Sequence, residues 1–258
     1  MKIVVCAKLA PDASDIEVRG DGTISLERAE WRIGSFDLQA IEAAVRLREL
    51  HGGSVTALSI GPLRINNSKL RKDLLSRGPN DLVLVADDTL ANADTAVTAQ
   101  VLAAAIQKIG AVDLVLTGEG SADLYFQQAG LVVGELLELP VFNAVSQIDA
   151  NTGSLRIERS LEDETEVLEV PLPAVLAVTT DIHTPRLPNM KEILLAARKP
   201  VLEWSLTELG MHDAITPRVE TVSLKAPRPV ERKRILIEGS PDEAAQALVA
   251  HLNKEGVL

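Results

Sequence analysis

The chain has 258 residues, 46% of them apolar and 24% charged, and a formal net charge of −11. That length buries a substantial core, and the acidic balance disfavours nucleic acid, whose binders work by neutralising phosphates. The single cysteine, Cys6, excludes an internal disulfide and a thiolate zinc site and predicts a reducing, cytoplasmic setting.

No apolar run approaches the ~20 residues of a membrane span, so the chain is not expected to be membrane-inserted. At the N-terminus, Lys8 interrupts an apolar run too short for a signal-peptide core, and Ile3, Val4 and Val5 read as a first buried strand. Aromatic residues are few, so the core must be aliphatic, as in parallel sheets covered on both faces.

In chain order, Leu38, Ile41, Ala44 and Val45 mark the apolar face of a helix over 36–50, stopped by Gly52 and Gly53. A strand over 54–60 and a helix over 68–76 follow, then a strand over 82–86. Asp94 opens a helix carrying Val97, Val101, Leu102, Ala105 and Ile106, which Gly110 terminates. A strand over 112–116 runs into Gly118, and a helix is predicted over 123–139, stopped by Pro140. Four alternations of strand and helix predict an α/β fold with a doubly wound, mainly parallel, Rossmann-like sheet. Ligands of such sheets bind beyond the carboxyl ends of the strands.

After Pro140 the pattern changes. Segments 155–157 and 166–170 flank the acidic turn Glu162-Asp163-Glu164 and predict an antiparallel hairpin, with 174–178 as a further strand. Beyond about residue 200 the rhythm fades. The expected organisation is a nucleotide-binding domain over 1–200 and a C-terminal arm over 201–258. The arm contains an exposed linker, with Lys225-Ala226-Pro227-Arg228-Pro229 and Glu231-Arg232-Lys233-Arg234, and ends in a helix. Ser240 as N-cap, Pro241 at the first helical position and Glu243 completing a capping box signal that helix.

The stretch best suited to chemistry is Gly118-Glu119-Gly120-Ser121-Ala122-Asp123, continuing to Gly130. Glycines after a buried strand let backbone N–H groups face a ligand, and a following helix N-terminus suits phosphate. Ser121, Gln127 and Gln128 could supply hydrogen bonds. An ordinary strand-to-helix turn with Asp123 as N-cap fits the pattern as well. There is no G-x-G-x-x-G after the first strand, no P-loop and no G-x-S-x-G elbow. His51, His183, His212 and His251 are too scattered to form a metal site. No nucleophile–base pair stands out, so no catalytic residue is assigned.

Three segments carry a resemblance to the beta subunit of electron-transfer flavoproteins. One is Arg159, the acidic triplet Glu162-Asp163-Glu164, then Glu166, Pro173 and the aliphatic Val175-Leu176. Another is Thr184-Pro185-Arg186-Leu187-Pro188-Asn189-Met190-Lys191, similar to the family's docking loop. The last is the Gly118 to Gly130 stretch, at the position of its nucleotide loop. Asp123-Leu124-Tyr125, Gln127-Gln128 and the run from Arg71 to Gly78 look closest to the Fix branch, associated with carnitine metabolism or nitrogen-fixation electron supply.

The resemblance implies an electron carrier rather than an enzyme, paired with a flavin-carrying alpha subunit on which the C-terminal arm docks. FAD is implied at the subunit interface, and either AMP or a second FAD within this chain. The second FAD would mark an electron-bifurcating member. Implied partners are an acyl-CoA-type or other flavin dehydrogenase, and a quinone oxidoreductase or ferredoxin-type acceptor. Implied nucleotide-site residues are Cys6, Gly34, Ser35, Phe36, Asp37, Ile60, Gly118, Glu119, Gly120, Ser121, Ala122, Asp123, Gln127, Gln128 and Ala129. Gln127 and Ala129 replace the Asn and Thr of simple carriers. Docking is implied for Leu187, Pro188, Met190 and Lys191, with Leu187 or Met190 as anchor. A stand-alone regulatory domain of the universal-stress type shares the strand–helix alternation, but explains neither the docking loop nor the arm.

Overall fold

A computed structural model describes residues 1–151, 153–211, 216–228 and 232–258. His212 and the linker residues Pro229 and Glu231 lie outside them. Strand β1 (Lys2–Cys6) leads into β2 (Leu9–Pro11), β3 (Glu17–Val18), β4 (Ile24–Ser25) and β5 (Trp31–Ile33). Of these, β2 pairs antiparallel with β5, and β3 with β4. Then come α1 (Ser35–His51), β6 (Ser54–Gly61), α2 (Ser68–Ser76), β7 (Asp81–Ala86), α3 (Thr95–Ile109) and β8 (Leu114–Gly118). These follow the predicted alternation closely. The Asp94 side chain accepts the Val97 N–H to cap α3, and Gly110 ends that helix at φ 88°.

The second half runs α4 (Ala129–Leu136), β9 (Val141–Ala150), β10 (Ser154–Ser160), β11 (Thr165–Pro171), β12 (Ala174–Val178), α5 (Met190–Ala196), β13 (Val201–Glu203) and α6 (Pro241–Lys254). The described residues form a nine-stranded sheet of order β11-β10-β9-β12-β8-β1-β6-β7-β13. The chain moves outward from β1 through β6 and β7, then returns to β8 on the other side of β1. That reversal is the topological switch point of a doubly wound sheet.

Two expectations are corrected. The helix predicted over 123–139 begins only at Ala129 and ends at Leu136. Tyr125 (φ 49°), Gln127 (φ 57°) and Glu138 (φ 55°) adopt left-handed backbone, which a right-handed helix cannot pass through. Asp123 is therefore not a helix cap. The predicted hairpin is real, with Ser160 opposite Thr165, but β9 adds an unpredicted third antiparallel strand beside it. Ala144 at φ 56° and register shifts with both neighbours interrupt the alternation that would have announced β9. The sheet also gains β13 as an edge strand just past residue 200.

Side chains alternate across the sheet as the strand pleat requires. Ile3, Val5, Leu114, Leu116, Leu82 and Leu84 face α1 and α2, whose Ile41, Val45, Leu70 and Leu74 share that core. Val4, Cys6, Val115 and Val83 face the other way, onto Leu102, Ala105 and Ile106 of α3 and Val133 of α4. Both faces are thus covered by aliphatic layers, each buried Leu, Ile or Val contributing roughly 1.5–3 kcal/mol. What remains open is the rim at the carboxyl ends of β1, β6 and β8.

Candidate nucleotide site at the sheet switch point

A cavity of about 260 Å³ opens at that rim. Its walls come from the end of β1 and the turn after it, the end of β6, the segment leading into α3, and the loop between β8 and α4. Of the expected site residues, Cys6, Asp37, Ile60, Gly118, Glu119, Gly120, Ser121, Asp123, Gln127, Gln128 and Ala129 line it. Gly34, Ser35, Phe36 and Ala122 stand outside the lining. Lys8, Leu58, Asp94, Thr95 and Thr98 line it too and were missed. The rule that ligands sit beyond strand carboxyl ends could have found Lys8, two residues past β1, and Asp94 as the cap of α3.

The glycine-rich loop is shaped by close approach. A Cβ on Gly118 would stand 2.7 Å from Phe36 Cβ, and one on Gly130 would stand 2.5 Å from Thr117 Oγ1. A Cβ on Gly120 would collide with the Tyr125 ring. These glycines let α1, α4 and the loop crowd around the end of β8. Tyr125 lies over Phe36 with ring centroids 4.9 Å apart. Its hydroxyl donates to Glu119 Oε1 at 2.9 Å and accepts from Gln127 Nε2 at 3.2 Å. The left-handed conformations of Tyr125 and Gln127 are thus held by an aromatic contact and a hydrogen-bonded chain.

Beyond this loop α4 begins with no side-chain cap at Gln128. Its first N–H groups have no partner within the helix and carry the positive end of the helix dipole.

The electrostatics are concentrated in one corner. Lys8 Nζ donates to both oxygens of Asp123 at 2.7 Å. Burial works against the Asp123 charge, but the hydrogen bonds from Lys8 and Ser121 and the Lys8 charge together outweigh it and hold the carboxyl below its usual range. Asp37 behaves oppositely. Burial pushes it up to about 8, with the Lys8 backbone N–H and charge opposing only part of that rise. Its Oδ2 is buried without a hydrogen-bond partner, so near neutrality Asp37 is largely a neutral acid. Burial pushes the Cys6 thiol up to about 12, with the Asp37 carboxyl adding to the effect, so this thiol is not a nucleophile. No cluster able to hold a metal ion occurs among the described residues.

The expected docking segment forms a separate feature. Asn189 and Glu192 make a reciprocal capping box at the start of α5, a helix absent from the predicted elements. Leu187 is 88% and Met190 72% exposed, so both expected anchors project into solvent. Pro188 is half-buried and Lys191 exposed. The segment is rooted by Arg186, whose guanidinium reaches Glu42 at 2.8 Å and Glu49 at 2.7 Å on α1. Arg159 secures the antiparallel strands, donating to Glu166 at 2.6 Å and to the Asn143 side chain and carbonyl at 2.7 and 2.9 Å. No helix among the described residues is long and apolar enough to cross a membrane.

In a comparison with known families, residues 21–209 fit the family model described as the electron transfer flavoprotein domain. The matched span takes in α1, the cavity loop, the antiparallel strands and the Arg186 segment.

Proposed function

Because this chain belongs to the electron transfer flavoprotein family, we propose that it is the beta-type subunit of a heterodimeric electron carrier, of the Fix branch. It receives electrons from a flavin dehydrogenase or reduced nicotinamide and passes them to a quinone oxidoreductase or ferredoxin-type acceptor. The observation that carries the subunit reading is α6. This helix has a capping box and Pro241 at its start, yet buries none of its residues on this chain. Leu248 and Val249 are each 49% exposed. An isolated helix of this length is marginal in water, so a surface on a flavin-carrying alpha-type subunit accounts for it. Residues 1–200, with β13 completing the sheet, then form the nucleotide-binding part, and the rest of 201–258 the docking arm.

The cavity suits the adenosine phosphate end of a nucleotide. Its size lies near the lower end of small-molecule pockets, roughly 300–1,000 Å³. Its glycine walls bring backbone close, and the uncapped start of α4 offers amide donors to an anion. Gly118, Gly120, Ser121, Gln127, Gln128 and Ala129 would hold AMP or the corresponding half of a second FAD. Cys6, Ile60 and Leu58 would supply its apolar floor. Flavin, when bound, supplies reversible one- and two-electron transfer. Phe36 and Tyr125 form an aromatic wall beside the cavity, while Leu187 and Met190 present apolar contacts to a redox partner.

The test is the FAD and AMP content of this chain co-purified with an alpha-type subunit. One FAD plus AMP per heterodimer supports a simple carrier, and two FAD without AMP a bifurcating member. A chain that forms no heterodimer and retains no flavin would overturn the subunit reading.

A further inference from the structure

We propose that Lys8 is the phosphate-binding cation of the cavity, and that Asp123 is a placeholder carboxylate which an anionic ligand displaces. This rests on the nucleotide reading above. Among the described residues lining the cavity Lys8 is the single basic one, facing four acidic residues, Asp37, Asp94, Glu119 and Asp123. A dianionic ligand entering so acidic a pocket needs a cation, and the Lys8 ammonium is already committed to both oxygens of Asp123.

The other three carboxyls do not compete for it. Asp37 is buried and largely protonated near neutrality. Glu119 accepts the Tyr125 hydroxyl. Asp94 is engaged by the N–H groups of Val97, Arg218 and Val219. Asp123 is therefore the carboxylate whose partner must change when phosphate arrives.

The pair is built to exchange. Its side chains are 41% and 26% exposed, so neither charge is locked in a dry interior. A lysine stem has four flexible bonds, and its point-like ammonium can swing to a new acceptor without backbone movement. The ion pair joins the turn after β1 to the loop after β8 across 115 positions of sequence. With phosphate at the start of α4, Lys8 bridges the ligand and β1, while Asp123 is released to solvent.

A purely structural latch between the two loops makes the opposite prediction for Asp123. The discriminating experiment measures binding of adenosine, AMP and ADP to the full-length chain by calorimetry. Lys8→Met should weaken AMP and ADP on the order of ten- to hundredfold, the value of a charge-assisted hydrogen bond, and leave adenosine nearly unchanged. Lys8→Arg should retain most of the phosphate preference. Asp123→Asn, by removing the competing anion, should tighten AMP and ADP several-fold. If Asp123→Asn weakens all three ligands in parallel with Lys8→Met, the pair is a latch and the proposal fails. Unchanged phosphate preference in Lys8→Met also refutes it, while leaving the nucleotide reading intact. If the unmodified chain binds none of the three, the nucleotide reading itself falls, and this inference with it.

Discussion

Replacing Glu42 with Gln should cost about 3 kcal/mol of stability at pH 7, because one buried carboxylate anchors the Arg186 segment to α1. Glu42 is 3% exposed. It accepts Arg186 Nε at 2.8 Å, Arg186 Nη2 at 3.2 Å, the Arg186 backbone N–H at 3.1 Å and Arg46 Nε at 2.7 Å. Burial alone would raise its pKa, but the hydrogen bonds from Arg186 and Arg46 outweigh burial and bring it from 4.5 to about 2. That fall corresponds to roughly 3 kcal/mol. Breaking one side of a buried charge network costs a similar amount, about 3–5 kcal/mol.

A depressed carboxyl contributes stability above its unfolded pKa and loses it as pH falls toward the folded value. Between pH 7 and pH 3.5 the unmodified protein should therefore lose about 1.4 kcal/mol through this group, whereas the Gln variant loses none through it. Urea unfolding of both proteins at the two pH values measures the gap, which should narrow by about half. Equal stabilities at pH 7, or a gap that does not shrink in acid, would refute the reasoning.

Native Cys6 should resist thiol reagents at pH 8. A thiol pushed to about 12 inside the core leaves a thiolate fraction on the order of 10⁻⁴, so labelling should await denaturant, and fast labelling of the native protein would contradict the burial. Removing residues 241–258 should leave the melting temperature of the isolated chain nearly unchanged, since no residue of α6 is fully buried. The same truncation should abolish capture of an alpha-type subunit, and a large drop in melting temperature would show that α6 docks on its own chain. Changing Leu187 and Met190 together to Ala should slow electron transfer from a partner dehydrogenase while flavin content stays constant. Equal loss of both would argue against a dedicated docking segment.

Local and periodic features were legible without coordinates. The aliphatic alternation of β1, β6, β7, β8 and β12, the Asp94 and Ser240 caps, and the glycine stops after α1 and α3 follow from short-range sterics and hydrogen bonding. So did the doubly wound architecture, because strand–helix alternation leaves few other solutions. The loop from Gly118 to Gly130 was identifiable from its glycines, but its conformation was not. Asp123 reads locally as a helix cap. Only the fold brings Lys8, 115 positions away in sequence, within 2.7 Å of it, and that long-range ion pair and the contact of Tyr125 with Phe36 accompany a loop with left-handed Tyr125 and Gln127 where a helix was expected. Strand β9 was hidden for the same kind of reason: its edges are defined by neighbours in the sheet, not by its own pattern. The buried Glu42–Arg186 clamp and the neutral acid at Asp37 are likewise products of burial, which depends on what the rest of the chain packs around a residue. Sequence determines what each segment can become, and tertiary structure decides which charges meet and which lose their water.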